Sequence, residues 1–147
     1  MKAVIQRVKN GTLSVDGQLI SSIGVGLCVY LGVESGDSEL RADYVAKKIY
    51  NIRIFEDENG KMNKSLNDVN GEILLISQFT LCADTSGGNR PSFVNAEKPD
   101  RAIALYEYTA KKLREMGATV KLGVFGADMQ IIQHNDGPVT IILEKRD

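Results

Sequence analysis

The chain has 147 residues, of which 43% are apolar and 25% charged, with a formal net charge of −1. A length of that order suits one domain, residues 1–147, that buries ~70% of the surface its unfolded chain exposes and needs no disulfide or structural metal to fold. The near-neutral charge argues against a dedicated binder of nucleic-acid backbone and leaves room only for a local basic patch or for recognition of a strand's end.

The opening Met1-Lys2-Ala3-Val4-Ile5-Gln6-Arg7 meets charge too early for a signal peptide. No apolar stretch reaches ~18 residues, so no membrane span is expected and the cytoplasm is the default compartment. Lys2 to Val8 reads as a strand. Thr12 to Val15 and Gln18 to Ile23 flank Asp16-Gly17, which accepts the positive φ angles of a tight hairpin turn. Gly24-Val25-Gly26 resembles the start of a dinucleotide fingerprint, but Val29 stands where the third glycine belongs and no helix follows. Leu27 to Leu31 is apolar at both parities, the pattern of a strand covered on both faces.

A helix is predicted over Ser38 to Asn51, with Ala42, Val45, Ile49 and Ile52 on one stripe. Asn59-Gly60 marks another tight turn, and Ile73 to Ile76 a central strand. Pro99 opens a second helix and Gly117 closes it, with Ile103, Tyr106, Ala110 and Leu113 as its apolar stripe. Three strands follow, near Thr119 to Leu122, Met129 to Gln133 and Val139 to Leu143. The fold class is therefore α+β, with largely antiparallel sheet and two helices packed outside it.

Cys28 and Cys82 each stand alone in apolar runs and read as buried thiols. Two separated cysteines and one histidine cannot build a standard zinc site, so neither metal nor cofactor is expected. His134, the single histidine, reads as a side chain near a strand end rather than a general base. Ser86-Gly87-Gly88-Asn89-Arg90 is equally a phosphate-approaching loop and a plain solvated one.

Two segments hold more chemistry. In Ser77-Gln78-Phe79-Thr80-Leu81, Ser77 and Thr80 point to opposite faces of a straight strand. If both serve one site, the chain bends near Phe79 and frees backbone N–H groups suited to a developing oxyanion. Otherwise the segment is a strand continuing with polar residues. Asn135-Asp136-Gly137-Pro138-Val139-Thr140 reads most simply as a hairpin turn between two strands. Its other reading is a cis Gly137-Pro138 bond, found in ~5–6% of X-Pro bonds.

Together these two segments resemble the paired signatures of the D-aminoacyl-tRNA deacylase family. The likeness extends to Met1 to Val8, Asn51 to Asp57, Gly60 to Asn63, Arg90-Pro91-Ser92-Phe93 and Phe125-Gly126-Ala127-Asp128-Met129. Ile131 to His134 and the weakly basic Ser86 to Asn89 depart from the expected pattern. The resemblance implies a barrel-like core and a homodimer in which each subunit lends Gly137 and Pro138, as a cis pair, to its partner's site. It places Ser77, Gln78, Phe79 and Thr80 on the opposite wall, with Met129 near. It sets Phe125, Gly126 and Ala127 by the terminal adenosine of an aminoacylated tRNA, and Arg7 as a brace for the Gly-Pro segment. The implied reaction is hydrolysis of the D-aminoacyl ester, with oxyanion donors around Gln78 and Phe79, and with water plus the ribose 2′-hydroxyl or else Thr80 as the attacking group. L-substrates are excluded by a main-chain wall, and glycine passes it.

Overall fold

The computed structural model describes residues 1–146. Its elements run β1 (Lys2–Val15), β2 (Gln18–Ile23), β3 (Gly26–Gly32), α1 (Glu39–Asn51), β4 (Phe55–Glu56), β5 (Met62–Lys64), β6 (Glu72–Ser77), α2 (Pro99–Glu115), β7 (Thr119–Leu122) and β8 (Gln130–Glu144). The first two predicted strand pieces are one 14-residue strand, β1. The Asp16-Gly17 hairpin forms as expected, with Val15 opposite Gln18 and positive φ at both turn residues.

The main sheet has six strands in the order β2-β1-β3-β6-β7, with β8 on the other side of β1. Antiparallel pairing dominates, since β1 pairs that way with β2, β3 and β8. The sequence pattern did not reveal that β3, β6 and β7 are parallel to one another. Parallel neighbours need long crossovers, which α1 with the β4–β5 hairpin and then α2 supply. Gly26 opens β3 where an added Cβ would lie 1.8 Å from the Glu72 carbonyl oxygen, so close strand approach explains the glycine there.

β3 and β6 are covered on both faces, as the apolar run of β3 suggested. Leu27, Val29, Leu31, Ile73 and Leu75 pack with Ala42, Val45 and Ile49 of α1 and Leu105, Tyr106 and Leu113 of α2. The alternate residues Cys28, Leu74 and Ile76 pack with Val8, Leu13 and Ile23 inside the curved sheet. Each fully buried Leu or Ile is worth ~1.5–3 kcal/mol, so the two clusters fix β6 firmly from both sides. Ser21 Oγ donates to the Leu122 carbonyl at 2.5 Å, so β2 approaches β7 and the sheet nearly closes as a barrel. α2 is pinned to the sheet by the Tyr106 hydroxyl, which donates to the Leu75 carbonyl at 2.7 Å.

Two predicted strands at the end of the chain are one. β8 runs unbroken from Gln130 to Glu144, so the hairpin reading of Asp136-Gly137 is corrected. The reason lies in β1, which is long enough to pair with both halves of β8 in line. Among the described residues β8 pairs only with β1, and it carries Ile132 and Ile142 at 72% and 77% exposure.

Candidate active site

β6 delivers the chain to the site. The Gln78 N–H donates to the Leu31 carbonyl at 2.8 Å, the last rung of the β3–β6 ladder. The chain then bends into a 3-10 turn, Phe79–Cys82, as joint use of Ser77 and Thr80 requires. The first N–H groups of a helical turn have no partner within it. Those of Phe79 and Thr80 find no acceptor among the described residues. The expected donor pair therefore moves by one residue: Gln78 is committed to the ladder, and Phe79 and Thr80 are the free pair. The Gln78 side-chain amide donates to the Thr80 hydroxyl. Phe79 meets Phe93 edge-on, with ring centroids 5.1 Å apart.

The connection from β7 to β8 forms the facing wall. The Gly123 N–H reaches the Leu75 carbonyl at 3.3 Å, and a turn closed by Ala127 N–H to Val124 carbonyl, 3.1 Å, carries Phe125 and Gly126. A cavity of about 280 Å³ results, lined by Ser77, Gln78, Phe79, Phe125, Gly126, Ala127 and Met129, with Ile76 and Ile131 at its base. None of these side chains titrates. Thr80 stands exposed at the rim and outside the lining. A second, more apolar cavity of about 360 Å³ shares Ser77, Phe79, Phe125 and Gly126 and extends over Val33, Phe93 and Ala102. Glu97 is the one carboxylate there, and it is held by the Lys98 N–H at 2.8 Å and the Arg101 guanidinium at 3.3 Å.

Gly137 and Pro138 are not in either cavity of their own chain. Ile131 lines the first cavity, and Gly137 lies six residues further along β8. The Gly137-Pro138 bond is cis, and Gly137 has φ +130°. Gln6 and Val8 pair with Thr140 and Asn135, so two steps along β1 face five along β8 and three extra residues bulge out. Arg7 sits opposite that bulge, 5% exposed. Its Nε donates to the Asp136 carbonyl at 3.1 Å and its Nη1 to the Ile54 carbonyl at 2.7 Å. Arg7 thus ties the residue before Gly137 to the segment that follows α1.

With that arrangement in hand, comparison with known proteins is decisive: the sequence model for D-Tyr-tRNA(Tyr) deacylase matches residues 4–144. The chain belongs to this deacylase family. A D-aminoacyl-tRNA deacylase of Geotalea uraniireducens is 54% identical over 144 residues, covering 98% of this chain and 93% of the relative. That of Aquifex aeolicus is 51% identical over 147 residues, covering 100% and 99%. Among solved structures, one titled c-Myc DNA Unwinding Element Binding Protein has TM-score 0.95 and 43% identity, covering all of both chains. A probable eukaryotic D-amino acid tRNA deacylase has TM-score 0.79 at 18% identity over 97% of each chain, a likeness of fold alone.

Within the family frame, His134 falls outside the site: it is exposed and pairs with Asn10 on β1. Val33, Ala102 and Glu97 were not singled out from sequence. Phe93 was noticed only as part of a similar stretch. Each gains a place by packing across the sheet end, which periodicity along one segment does not record.

Proposed function

We propose that this protein hydrolyses the ester of D-aminoacyl-tRNA, releasing the D-amino acid and the tRNA, in the cytoplasm where charged tRNA is used. One observation carries the chemistry: the main-chain N–H groups of Phe79, which lines the cavity, and of its neighbour Thr80 have no acceptor among the described residues, and no residue lining that cavity titrates. A site without a base or an activated nucleophile works by stabilising the tetrahedral oxyanion, a term worth ~2.7–4 kcal/mol per donor. Water is then the nucleophile, and the ribose 2′-hydroxyl beside the ester handles the proton. The terminal adenine suits the apolar cavity over Val33, Phe93 and Ala102, with Phe125 and Gly126 between base and ester. Thr80 as nucleophile is the weaker scheme, since its hydroxyl already accepts from Gln78 and no base adjoins it.

Chiral choice comes from a second subunit. The Gly137-Pro138 bulge lies on β8, an edge strand with exposed Ile132 and Ile142, and lines neither cavity of its own chain. A homodimer pairing these faces brings each bulge to its partner's site. There the main chain receives the substrate's α-ammonium group and blocks the space an L-side chain needs. Glycine, with no side chain, passes the wall.

The test is hydrolysis of D-Tyr-, Gly- and L-Tyr-tRNA by the purified protein. Rapid, intermediate and negligible release in that order supports the reading; equal rates for D- and L-Tyr overturn it. The 43%-identical structural neighbour titled a DNA unwinding element binding protein favours a second reading, a non-catalytic nucleic-acid-binding module. Absence of all esterase activity would select it.

A further inference from the structure

The apolar cavity has a polar neighbour. The Ser35 N–H donates to the Asn95 carbonyl at 2.8 Å and the Glu97 N–H to the Val33 carbonyl at 3.0 Å, joining the segment after β3 to the segment before α2. Val33, Ala96 and Glu97 line the apolar cavity. Glu34, Ser35 and Asn95, together with Arg41 and Arg146, line a second space of about 430 Å³. The two share this joined pair of segments as their wall. Arg101 lies over it, in sequence beside Ala102, and donates from Nη2 to the Asp37 carbonyl at 2.7 Å.

Charge is sorted by depth. The acids are inside, with side-chain exposures of 0% for Asp37, 11% for Glu97 and 14% for Glu34. Their guanidinium partners Arg101 and Arg146 are outside, at 59% and 63%, where Arg146 also meets the exposed Glu144 at 2.7 Å. An arginine has five N–H donors, so one held along one edge still presents donors to an incoming phosphate. The loop of residues 84–92 is poorer in cations. It carries one, Arg90, against one acid, Asp84, whose carboxyl is held below its usual range by the Ser86 side-chain and main-chain hydrogen bonds.

We infer that Arg101 and Arg146, backed by Arg41, bind the phosphates of the single-stranded nucleotides preceding the terminal adenosine. The inference rests on the deacylase reading, because a base seated in the apolar cavity sends the strand over the shared wall. Phosphate contacts show as salt dependence, a log–log slope of ~0.7 per contact in single strands.

The experiment compares D-tyrosyl-tRNA with the D-tyrosyl ester of adenosine alone, across salt, for wild type, Arg101→Ala/Arg146→Ala, Arg101→Lys and Arg146→Ala. In the double variant the KM for tRNA should rise and the salt slope flatten by about 1.4, with the adenosine ester cleaved as by wild type. Arg101→Lys should keep its slope. Wild-type salt response of the double variant on tRNA overturns the inference. Equal loss on both substrates, with Arg146→Ala leaving the tRNA slope unchanged, overturns it too. A wild type that cleaves neither ester brings down the deacylase reading itself, whereas one that cleaves both keeps that reading whatever the arginines do.

Discussion

The turn at Phe79–Cys82 and the bulge at Gly137-Pro138 are built by the same device in opposite settings. Each interrupts a strand so that main-chain groups leave the ladder. The first follows β6, a strand buried between two apolar clusters, is anchored by the Gln78 rung, and brings Phe79 to the lining of a cavity of the same chain. The second sits on the edge strand β8, held from behind by one buried arginine, and lines neither of the two cavities. The contrast teaches that main-chain groups can be held out of a ladder in two ways, by core packing on both faces or by a single buried brace.

The sharpest way to break this comparison acts on the substrate. A tRNA ending in 2′-deoxyadenosine, charged with D-Tyr, should be hydrolysed ~10²–10⁴-fold more slowly, the usual worth of a positioned proton carrier. Single-turnover release that matches the ribose substrate would return the chemistry to a side chain. Gly137→Ala comes next. Its Cβ would meet the Val139 nitrogen at 2.8 Å at φ +130°, so the bulge must shift. A misplacement of that kind costs ~100-fold in kcat/KM. Equal loss at Leu19, a residue exposed on β2, would remove the special status of the bulge.

Arg7→Ala removes the brace, leaving the Asp136 and Ile54 carbonyls without it. Hydrogen bonds to a charged group are worth ~1.5–3 kcal/mol, so denaturant unfolding should show a loss of that size. D-over-L discrimination should fall with it, and Arg7→Lys should restore part of both. Thr80→Ala should stay within about threefold of wild type, under ~1 kcal/mol of barrier. Near-complete inactivation would make Thr80 the nucleophile.

The smallest effect at neutral pH concerns the scaffold between the two regions. Burial pushes the Cys28 thiol, on β3, from 9.0 up to about 12. The unfolded chain then releases that proton near pH 9 while the folded chain keeps it. Stability should be unaffected below pH 9 and fall as pH rises from 9 towards 12. Cys28→Ala should make that alkaline fall shallower in thermal unfolding.

Much of the fold was legible in the sequence because it is local. Asp16-Gly17, the Pro99 and Gly117 limits of α2, and the two-faced apolar run of β3 each follow from a few neighbouring residues. The errors fell where a distant segment decides. Asp136-Gly137-Pro138 has the composition of a turn, yet β1 holds both flanks in one strand. Ile103 belongs by spacing to the apolar stripe of α2 but is only half-buried, while Ala102 and Leu105 are buried. Gln78 looked as free as Phe79 until Leu31 claimed its N–H.

The sequence by itself determined the α+β class, the order of most elements, the family and the two segments that resemble its signatures. These rest on periodicity, turn chemistry and motif, all carried by adjacent residues. Tertiary structure alone decided that β3, β6 and β7 run parallel, that the Phe79 and Thr80 N–H groups find no acceptor among the described residues, and that Gly137 lines neither cavity of its own chain. Those facts depend on which strands become neighbours, and hydrogen-bond partners distant in sequence leave no local pattern to read.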